Sequence, residues 1–207
     1  MIIRSASTED AERLLEIYAY YVKNTAVSFE YEVPSHGEFE NRIAATLEKY
    51  PYLVIEEGGE IKGYSYAGVF KARAAYDHCC EVTIYLDRDS KGHGYGRALY
   101  NALEEELRKM GMINLYACIA APIYEDEYLT GNSEHFHRHM GYTRVGEFHK
   151  CGYKFDRWYN MIWMEKVIGE HRDQPASVRR STHISEVCFR KMETAGQQRE
   201  LPAAKNG

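Results

Sequence analysis

The chain has 207 residues, of which 44% are hydrophobic and 28% are charged, as expected for one globular domain with a substantial core. Its net charge of −5 argues against nucleic-acid binding, and the lack of a long apolar run or a signal-peptide pattern predicts a cytoplasmic protein without a membrane partner. Five cysteines without a C-x-x-C spacing argue against a disulfide framework and a cysteine-built zinc site.

The beginning of the chain predicts a strand followed by two helices. Residues 2–4 are typical of a short strand, and Ser7 is a helix-capping residue. Ser35 begins the second helix, where Glu38 completes a capping box. The remaining predicted elements are strands over 52–56, 61–69, 80–86, 113–119, 142–148 and 158–166, and helices over 96–110 and 132–140.

The order of these elements is βααβββαβαββ, which predicts an α+β fold with a mixed central sheet flanked by helices. We expect one domain over residues 1–169. Residues 172–207 contain seven Lys or Arg against four Asp or Glu, and a single aromatic residue. The segment 170–207 is therefore predicted to be a poorly ordered basic tail.

A glycine-rich loop lies between the predicted strand 80–86 and the predicted helix 96–110. Gly92, Gly94 and Gly96 allow tight turns in which successive backbone N–H groups converge on one anion, and the start of the helix adds partial positive charge. Such a loop suits a diphosphate. No Gly-Lys-Ser/Thr ending supports a P-loop, and no further βαβ unit supports a dinucleotide-binding fold.

The loop pattern Lys91-x-x-Gly94-x-Gly96 resembles the Gln/Arg-x-x-Gly-x-Gly/Ala signature of GNAT N-acetyltransferases, with Lys at the first position. Over about residues 2–166 the chain resembles the phosphinothricin acetyltransferase branch. The segments that carry this resemblance are 71–77 (KARAAYD), 81–86 (EVTIYL) and 152–159 (GYKFDRWY). The resemblance implies the GNAT acyl-CoA N-acyltransferase fold. It also implies acetyl transfer from acetyl-CoA to the primary amine of a small amino-acid-like substrate of the phosphinothricin or methionine-sulfone type.

The same resemblance assigns residues to the cofactor. The loop would bind the pyrophosphate of acetyl-CoA, and a bulge in the preceding strand would present a backbone N–H to the oxyanion. Asn132 is expected to contact the pantetheine arm. The expected pyrophosphate residues are Lys91, Gly92, His93, Gly94, Tyr95, Gly96 and Arg97, and the expected pantetheine residues in the strand are Ile84, Tyr85 and Leu86.

Glu81 is the candidate general base. A carboxylate in an apolar strand has a raised pKa, which suits it to take a proton from an amine, and the resemblance indicates the same residue. The alternative is a structural ion pair with Lys71 or Arg73. His137 is the candidate acid for the departing thiolate, and its alternative is an ordinary histidine on a helix surface. No metal site is predicted, since His135 and His139 have no third ligand nearby.

Cations and aromatic residues are candidates for the amine site. Lys71, Arg73 and Lys154 are placed to meet a substrate carboxylate, with Phe29 and Tyr76 as walls. Two alternatives stay open, namely a GNAT enzyme acting on a polyamine or a peptide N-terminus, and a CoA-binding module without catalysis.

A homodimer is expected, because tyrosine and tryptophan concentrate at 152–159 and because the resembling branch pairs through its C-terminal region. The alternative is that Trp158 belongs to the core.

Overall fold

The computed structural model describes residues 1–90 and 92–181, together with the backbone of 187–188. The helices are α1 (Ala11–Asn24), α2 (His36–Leu47), α3 (Tyr95–Met110) and α4 (Asn132–His139). The strands are β1 (Ile2–Ser5), β2 (Tyr52–Glu57), β3 (Glu60–Val69), β4 (Cys79–Leu86), β5 (Asn114–Ala121), β6 (Thr143–Lys154), β7 (Arg157–Val167) and β8 (Val187–Cys188). The predicted element order and the α+β class are confirmed, with β8 as an addition.

All strands lie in one mixed sheet with the order β6-β7-β5-β4-β3-β2-β1-β8. Neighbouring strands are antiparallel except for β4 and β5, which pair in parallel. A parallel pair needs a crossover connection, and here the crossover is α3. The strand before the glycine loop and the strand after α3 are therefore neighbours at the middle of the sheet.

The two faces of β4 belong to different parts of the core. Cys80, Val82 and Ile84 pack with α3 on one face. Tyr85 packs with α1 and α2 on the other face. Because strand residues alternate in direction, Glu81 and Thr83 share the face of Tyr85. The position of Glu81 in the strand thus sets which side of the sheet its carboxylate reaches.

Local signals explain where several helices begin and end. The Ser35 hydroxyl accepts a hydrogen bond from the Glu38 backbone N–H at 3.2 Å, which is one half of the predicted capping box. The other half does not form, because the Glu38 carboxylate binds Arg42 instead. Gly111 ends α3 with a φ of 92°, a conformation that glycine adopts without steric cost. Within the described ranges, no helix combines the length and apolar character needed to cross a membrane.

Part of the segment assigned to the tail lies against the domain. The Arg179 backbone N–H donates to the Met110 carbonyl at 2.9 Å, and that of Ser181 donates to the Lys49 carbonyl at 3.1 Å. Val178 packs against the core cluster of α3, and β8 pairs with β1. The residues after 181, apart from 187–188, lie outside the described residues. The boundary after residue 169 stays a prediction.

Candidate active site

The centre of the sheet opens into a cleft because β4 and β5 separate. Their pairing runs from Cys79 opposite Asn114 to Glu81 opposite Tyr116. Beyond that point β4 continues along β3 and β5 continues along β7. The cleft has a volume of about 60 Å³ and is lined by both strands and by α4. Backbone groups of β4 that point away from β3 therefore face this cleft instead of another strand.

The structure corrects one expectation about β4. Its register against β3 is continuous from Val69 opposite Cys80 to Gly63 opposite Leu86, so β4 has no bulge. The backbone donors on its free side are exposed by the divergence of β5, which leaves them without a strand partner. Strand separation thus leaves backbone N–H groups of β4 without a strand partner beside the cleft.

Two glycines shape the loop at the start of α3. Gly92 has a φ of 81° and Gly94 a φ of 82°, values that are strained for residues with a side chain. Gly94 is also the N-cap of α3, and nothing lies within 4 Å of the position where its Cβ would stand. An anion can therefore approach the backbone at the start of α3. Lys91 lies outside the described residues.

The remaining loop residues divide into surface and core. His93 and Arg97 are exposed, and Arg97 forms no ion pair with any other residue the structure describes, so its guanidinium is available to a phosphate. Tyr95 is buried and its hydroxyl bonds to Glu57. A Cβ on Gly96 would lie 3.0 Å from the Phe136 ring, so this glycine lets α3 approach α4. Tyr95 and Gly96 can contribute only backbone groups to a ligand.

Of the three residues expected to hold pantetheine, Ile84 and Tyr85 line the cleft. Leu86 lies beside α3, 3.5 Å from the Cβ position of Gly96, and its carbonyl accepts the Tyr21 hydroxyl at 2.6 Å. Asn132 is exposed at the first position of α4, where Gly131 is the N-cap. Ser133 lines the cleft instead.

Glu81 lies on the last residue pair before β4 and β5 separate. It is half-buried, and burial raises the pKa of its carboxyl, an effect that the positive charge of Lys71 opposes. The Lys71 ammonium lies over the rings of Phe70 and Trp163, 5.0 and 5.8 Å from their centroids. Within the described residues, Glu81 forms no salt bridge with Lys71 or Arg73. Its carboxyl therefore has a raised pKa and is not held in an ion pair with either cation.

The residues proposed to bind the substrate differ in exposure and in position. Lys71, Arg73 and Tyr76 are exposed on the segment between β3 and β4. Phe29 is partly buried, with its ring 6.4 Å from that of Tyr159, and a Cβ on Gly152 would overlap it. The loop after α1 is thus packed onto the β6–β7 hairpin.

Lys154 is not available to a substrate carboxylate, which corrects the expectation from sequence. It is buried, and its ammonium donates to three backbone carbonyls, of Val22, Thr25 and Ser28, at 2.8, 2.9 and 2.6 Å. An ammonium has three protons, and all of them are used here. Lys154 instead fixes the loop that carries Phe29.

His137 is buried at the wall of the cleft and is not a surface histidine. Its Nδ1 atom lies 2.8 Å from the Ser133 carbonyl and its Nε2 atom 2.9 Å from the Tyr100 hydroxyl. Burial lowers the pKa of His137 to about 4, so the ring is neutral near pH 7. The carbonyl can only accept, which assigns the proton to Nδ1 and leaves Nε2 as the acceptor for Tyr100. His137 in this state has no proton on Nε2 to give to a thiolate.

Sequence reasoning missed Tyr100, which is fully buried and lines the same cleft. Tyr100 stands four residues after Gly96 on α3, so the two residues share one helix face. This spacing could have indicated from the sequence that Tyr100 lies near the glycine loop. His135 and His139 are exposed. In the described ranges there is no group of three or more residues able to hold a metal ion.

These features together define an acyl-CoA N-acyltransferase: a sheet opened between two parallel strands, a glycine loop at a helix start and a carboxylate at the branch point. A family model described as an acetyltransferase (GNAT) domain matches residues 3–163. The chain therefore belongs to the GNAT family and is an acetyl-CoA-dependent N-acetyltransferase.

Similar proteins of known name confirm the resemblance to the phosphinothricin branch. The chain is 30% identical over 182 residues to phosphinothricin N-acetyltransferase from Streptomyces viridochromogenes, covering 88% of this chain and 95% of that protein. It is 31% identical over 180 residues to L-amino acid N-acyltransferase MnaT from Escherichia coli, covering 85% and 99%. A phosphinothricin acetyltransferase from Sinorhizobium meliloti, solved with acetyl-CoA, matches with a TM-score of 0.76 at 30% identity over 84% of this chain and 92% of that one.

Proposed function

We propose that this enzyme acetylates the α-amine of a small amino-acid-like substrate, with Glu81 as the general base. The observation that carries the proposal is the position of Glu81. Its carboxylate, with a pKa raised by burial, stands where β4 and β5 separate. The names of the relatives, which refer to phosphinothricin and to L-amino acids, support this substrate class.

In the proposed reaction, one side chain accepts the proton and backbone N–H groups bind the oxyanion and the diphosphate. Glu81 takes a proton from the ammonium, so that the amine nitrogen can attack the thioester carbon. Backbone N–H groups on the free side of β4 stabilise the oxyanion. As the C–N bond forms, the C–S bond breaks and the thiolate of CoA departs, to be protonated from solvent. The amides of the loop at Gly92 and Gly94 hold the diphosphate at the start of α3.

Charge near Glu81 favours an anionic substrate over a polyamine. Lys71 and Arg73 are exposed on the segment between β3 and β4, and a guanidinium can bind a carboxylate through two hydrogen bonds. A polycation would be repelled from this edge. His137 and Tyr100 form the wall of the cleft on the side of α4, where their hydrogen bond fixes both side chains.

We include a homodimer and a cytoplasmic location in the proposal. The β6–β7 hairpin exposes large apolar side chains, among them Phe148 and Trp158, at 54% and 53% of their surface. Such patches are typical of interaction sites, which supports the dimer.

The cytoplasmic location is supported by the cysteines. Those that the structure describes, Cys79, Cys80, Cys118 and Cys151, are free thiols, as is usual in a reducing compartment.

The decisive experiment is a thiol-release assay with acetyl-CoA and a panel of amines. The panel contains methionine sulfone, phosphinothricin, spermidine and a peptide with a free N-terminus. We expect turnover with the amino-acid analogues, and Glu81→Gln should lower the rate by about 10²–10⁴, the usual worth of general acid–base catalysis. Glu105→Gln, on the exposed face of α3, is the matched control. Turnover with spermidine alone would contradict the substrate class, and CoA binding without turnover on any amine would indicate a non-catalytic module.

A further inference from the structure

A basic surface cavity lies at the end of the sheet where β4 begins. It has a volume of about 570 Å³, within the range of sites that hold small molecules. Three parts of the chain line it, namely the turn after α2, the segment before β4 and the segment 175–180 after β7. Its charged residues are Lys49, Asp77, Arg179 and Arg180.

The basic cavity is remote from the glycine loop. The strand β4 begins at Cys79 and ends at Leu86. Asp77 and His78, which line the cavity, stand directly before the strand, whereas the glycine loop follows its end. A strand of this length spans about 25 Å. The cavity is therefore separate from the loop that we expect to bind the diphosphate of acetyl-CoA.

The arginines of the basic cavity stand on an anchored stretch of backbone. The Arg179 N–H donates to the Met110 carbonyl at 2.9 Å, and the Ser181 N–H donates to the Lys49 carbonyl at 3.1 Å. The backbone between these two hydrogen bonds is therefore held at both ends. Val178 adds an apolar contact, since it packs against the core cluster of α3. The segment thus presents two neighbouring guanidinium groups at a defined place.

Both guanidinium groups lack an anionic partner. Within the ranges that the structure describes, the side chains of Arg179 and Arg180 form no hydrogen bond and no salt bridge. Most other described arginines bind a carboxylate. The two further exceptions are Arg73 and Arg97, and we expect these to meet anionic groups of the substrate and of acetyl-CoA. Arginines without a carboxylate partner thus mark the places where this protein is expected to bind anions.

The charges of the basic cavity suit a phosphate compound. Lys49 lies 3.5 Å from Asp77, measured from Nζ to Oδ1, and Asp77 is the one carboxylate among the described residues that line the cavity. With the two arginines, three cations therefore face one carboxylate. A guanidinium binds a phosphate through two parallel hydrogen bonds, and an ammonium binds it as a point charge. A phosphate group offers more charge and more acceptor oxygens than a carboxylate, so it can use all three cations.

We propose that the basic cavity is a second anion site, which binds a small compound carrying a multiply charged phosphate group. Arg179 and Arg180 supply the hydrogen bonds, and Lys49 supplies a third positive charge. The family model matches residues 3–163, so the two arginines lie outside the part of the chain that defines the acetyltransferase. A bound anion connects the segment 175–181 to the segment before β4 and stabilises the folded protein, because it binds only the folded chain.

The test is calorimetry with inorganic pyrophosphate on protein that carries one equivalent of CoA, so that the glycine loop is occupied. We expect the wild-type protein to bind pyrophosphate. The double variant Arg179→Met/Arg180→Met should bind it at least about tenfold more weakly, as the loss of a charge-assisted hydrogen bond predicts. CoA affinity and circular dichroism should not change. The matched control is Lys23→Met/Arg138→Met, which removes the same charge from other exposed positions.

No binding by the wild-type protein at millimolar pyrophosphate would overturn the inference, and so would equal binding by the two double variants. Binding that is lost in Gly94→Val but kept in Arg179→Met/Arg180→Met would also overturn it, because the anion would then occupy the glycine loop.

Thermal unfolding provides a second measurement. At constant ionic strength, pyrophosphate should raise the melting temperature of the CoA-bound wild-type protein more than that of the arginine variant. Equal shifts in the two proteins would contradict the inference. Neither measurement requires turnover of an amine, so a failure of the proposed function leaves the anion site to be decided separately.

Discussion

The ammonium nitrogen of Lys154 lies 2.6 Å from the carbonyl oxygen of Ser28, which is 126 residues earlier in the chain. With its bonds to Val22 and Thr25, this one side chain joins the end of β6 to the loop after α1. The loop carries Phe29. The position of Phe29, which we propose as a wall of the amine site, therefore depends on a lysine whose own ammonium is fully used within the protein.

Lys154→Met should destabilise the fold and weaken amine binding. It leaves buried carbonyls unpaired, and the cost should be about 3 kcal/mol, within the range for the loss of hydrogen bonds to a charged group. We expect a lower melting temperature and a raised KM for the amine, with CoA affinity unchanged by calorimetry. Lys23→Met, on the exposed face of α1, is the control. Equal stability and KM in the two variants would show that the contact has no positioning role.

Lys71→Met should shift the pH profile of catalysis. The Lys71 charge lowers the pKa of Glu81, against the dominant effect of burial, which raises it. Removing the cation raises this pKa further. Since the base acts in its ionised form, the acidic limb of kcat/KM should move to higher pH. The profile is measured from mildly acidic to alkaline pH, with Lys62→Met as the control. An acidic limb that stays in place would show that the charge of Lys71 does not affect the pKa of the catalytic base.

Gly94→Val should weaken CoA binding. The φ of 82° at this N-cap is unfavourable for a residue with a Cβ by about 1–2 kcal/mol, and the new side chain would project where the diphosphate approaches. We expect a loss of about tenfold or more in affinity, measured by calorimetry on protein whose circular dichroism is unchanged. Gly37→Ala, where a Cβ meets nothing within 4 Å, is the control. Undiminished affinity would contradict the loop assignment.

Light scattering at micromolar concentration should give the mass of a dimer. Trp158 is exposed and its ring lies 5.0 Å from that of Tyr153, so the core alternative for Trp158 is wrong. Trp158→Ala should weaken dimerisation about tenfold or more if this aromatic pair is central to the interface. Tyr124→Ala provides an exposed aromatic control. A monomeric wild-type protein would end the dimer proposal.

Truncation after Gly169 tests the domain boundary. It removes Val178, which is partly buried against α3, and full burial of a valine would stabilise by at most about 1.5–3 kcal/mol. A melting temperature lower by about 5 °C is expected for a chain of this size. Activity should persist, because residues 178–181 contact the protein near Met110 and Lys49, at the paired end of β4 and β5. Truncation after Ser181 is the comparison. An unchanged melting temperature would support a boundary at residue 169.

Sequence predicts best those features that depend on neighbouring residues. The glycine loop could be recognised because turn conformation is local, and Gly92 and Gly94 do have positive φ values. The helix start at Ser35 follows from the same kind of short-range hydrogen bond. The apolar strand around Glu81 likewise indicated a carboxyl with a raised pKa, and burial does raise it; its role as the base is part of the proposed function.

Features that depend on distant contacts could not be predicted. Lys154 has the sequence context of a surface cation, and only the tertiary fold brings three carbonyls to it. The neutral state of His137 depends on its burial and on Tyr100 from another helix.

The opening at the centre of the sheet has a mechanical consequence. Backbone pairing between the β1–β4 leaf and the β5–β7 leaf is limited to three residue pairs. A pantetheine arm bound in the gap would contact strands on both sides of it and would so add contacts between the two parts of the sheet. Binding of CoA in this gap is therefore expected to raise the stability of the fold in addition to supplying the acetyl group.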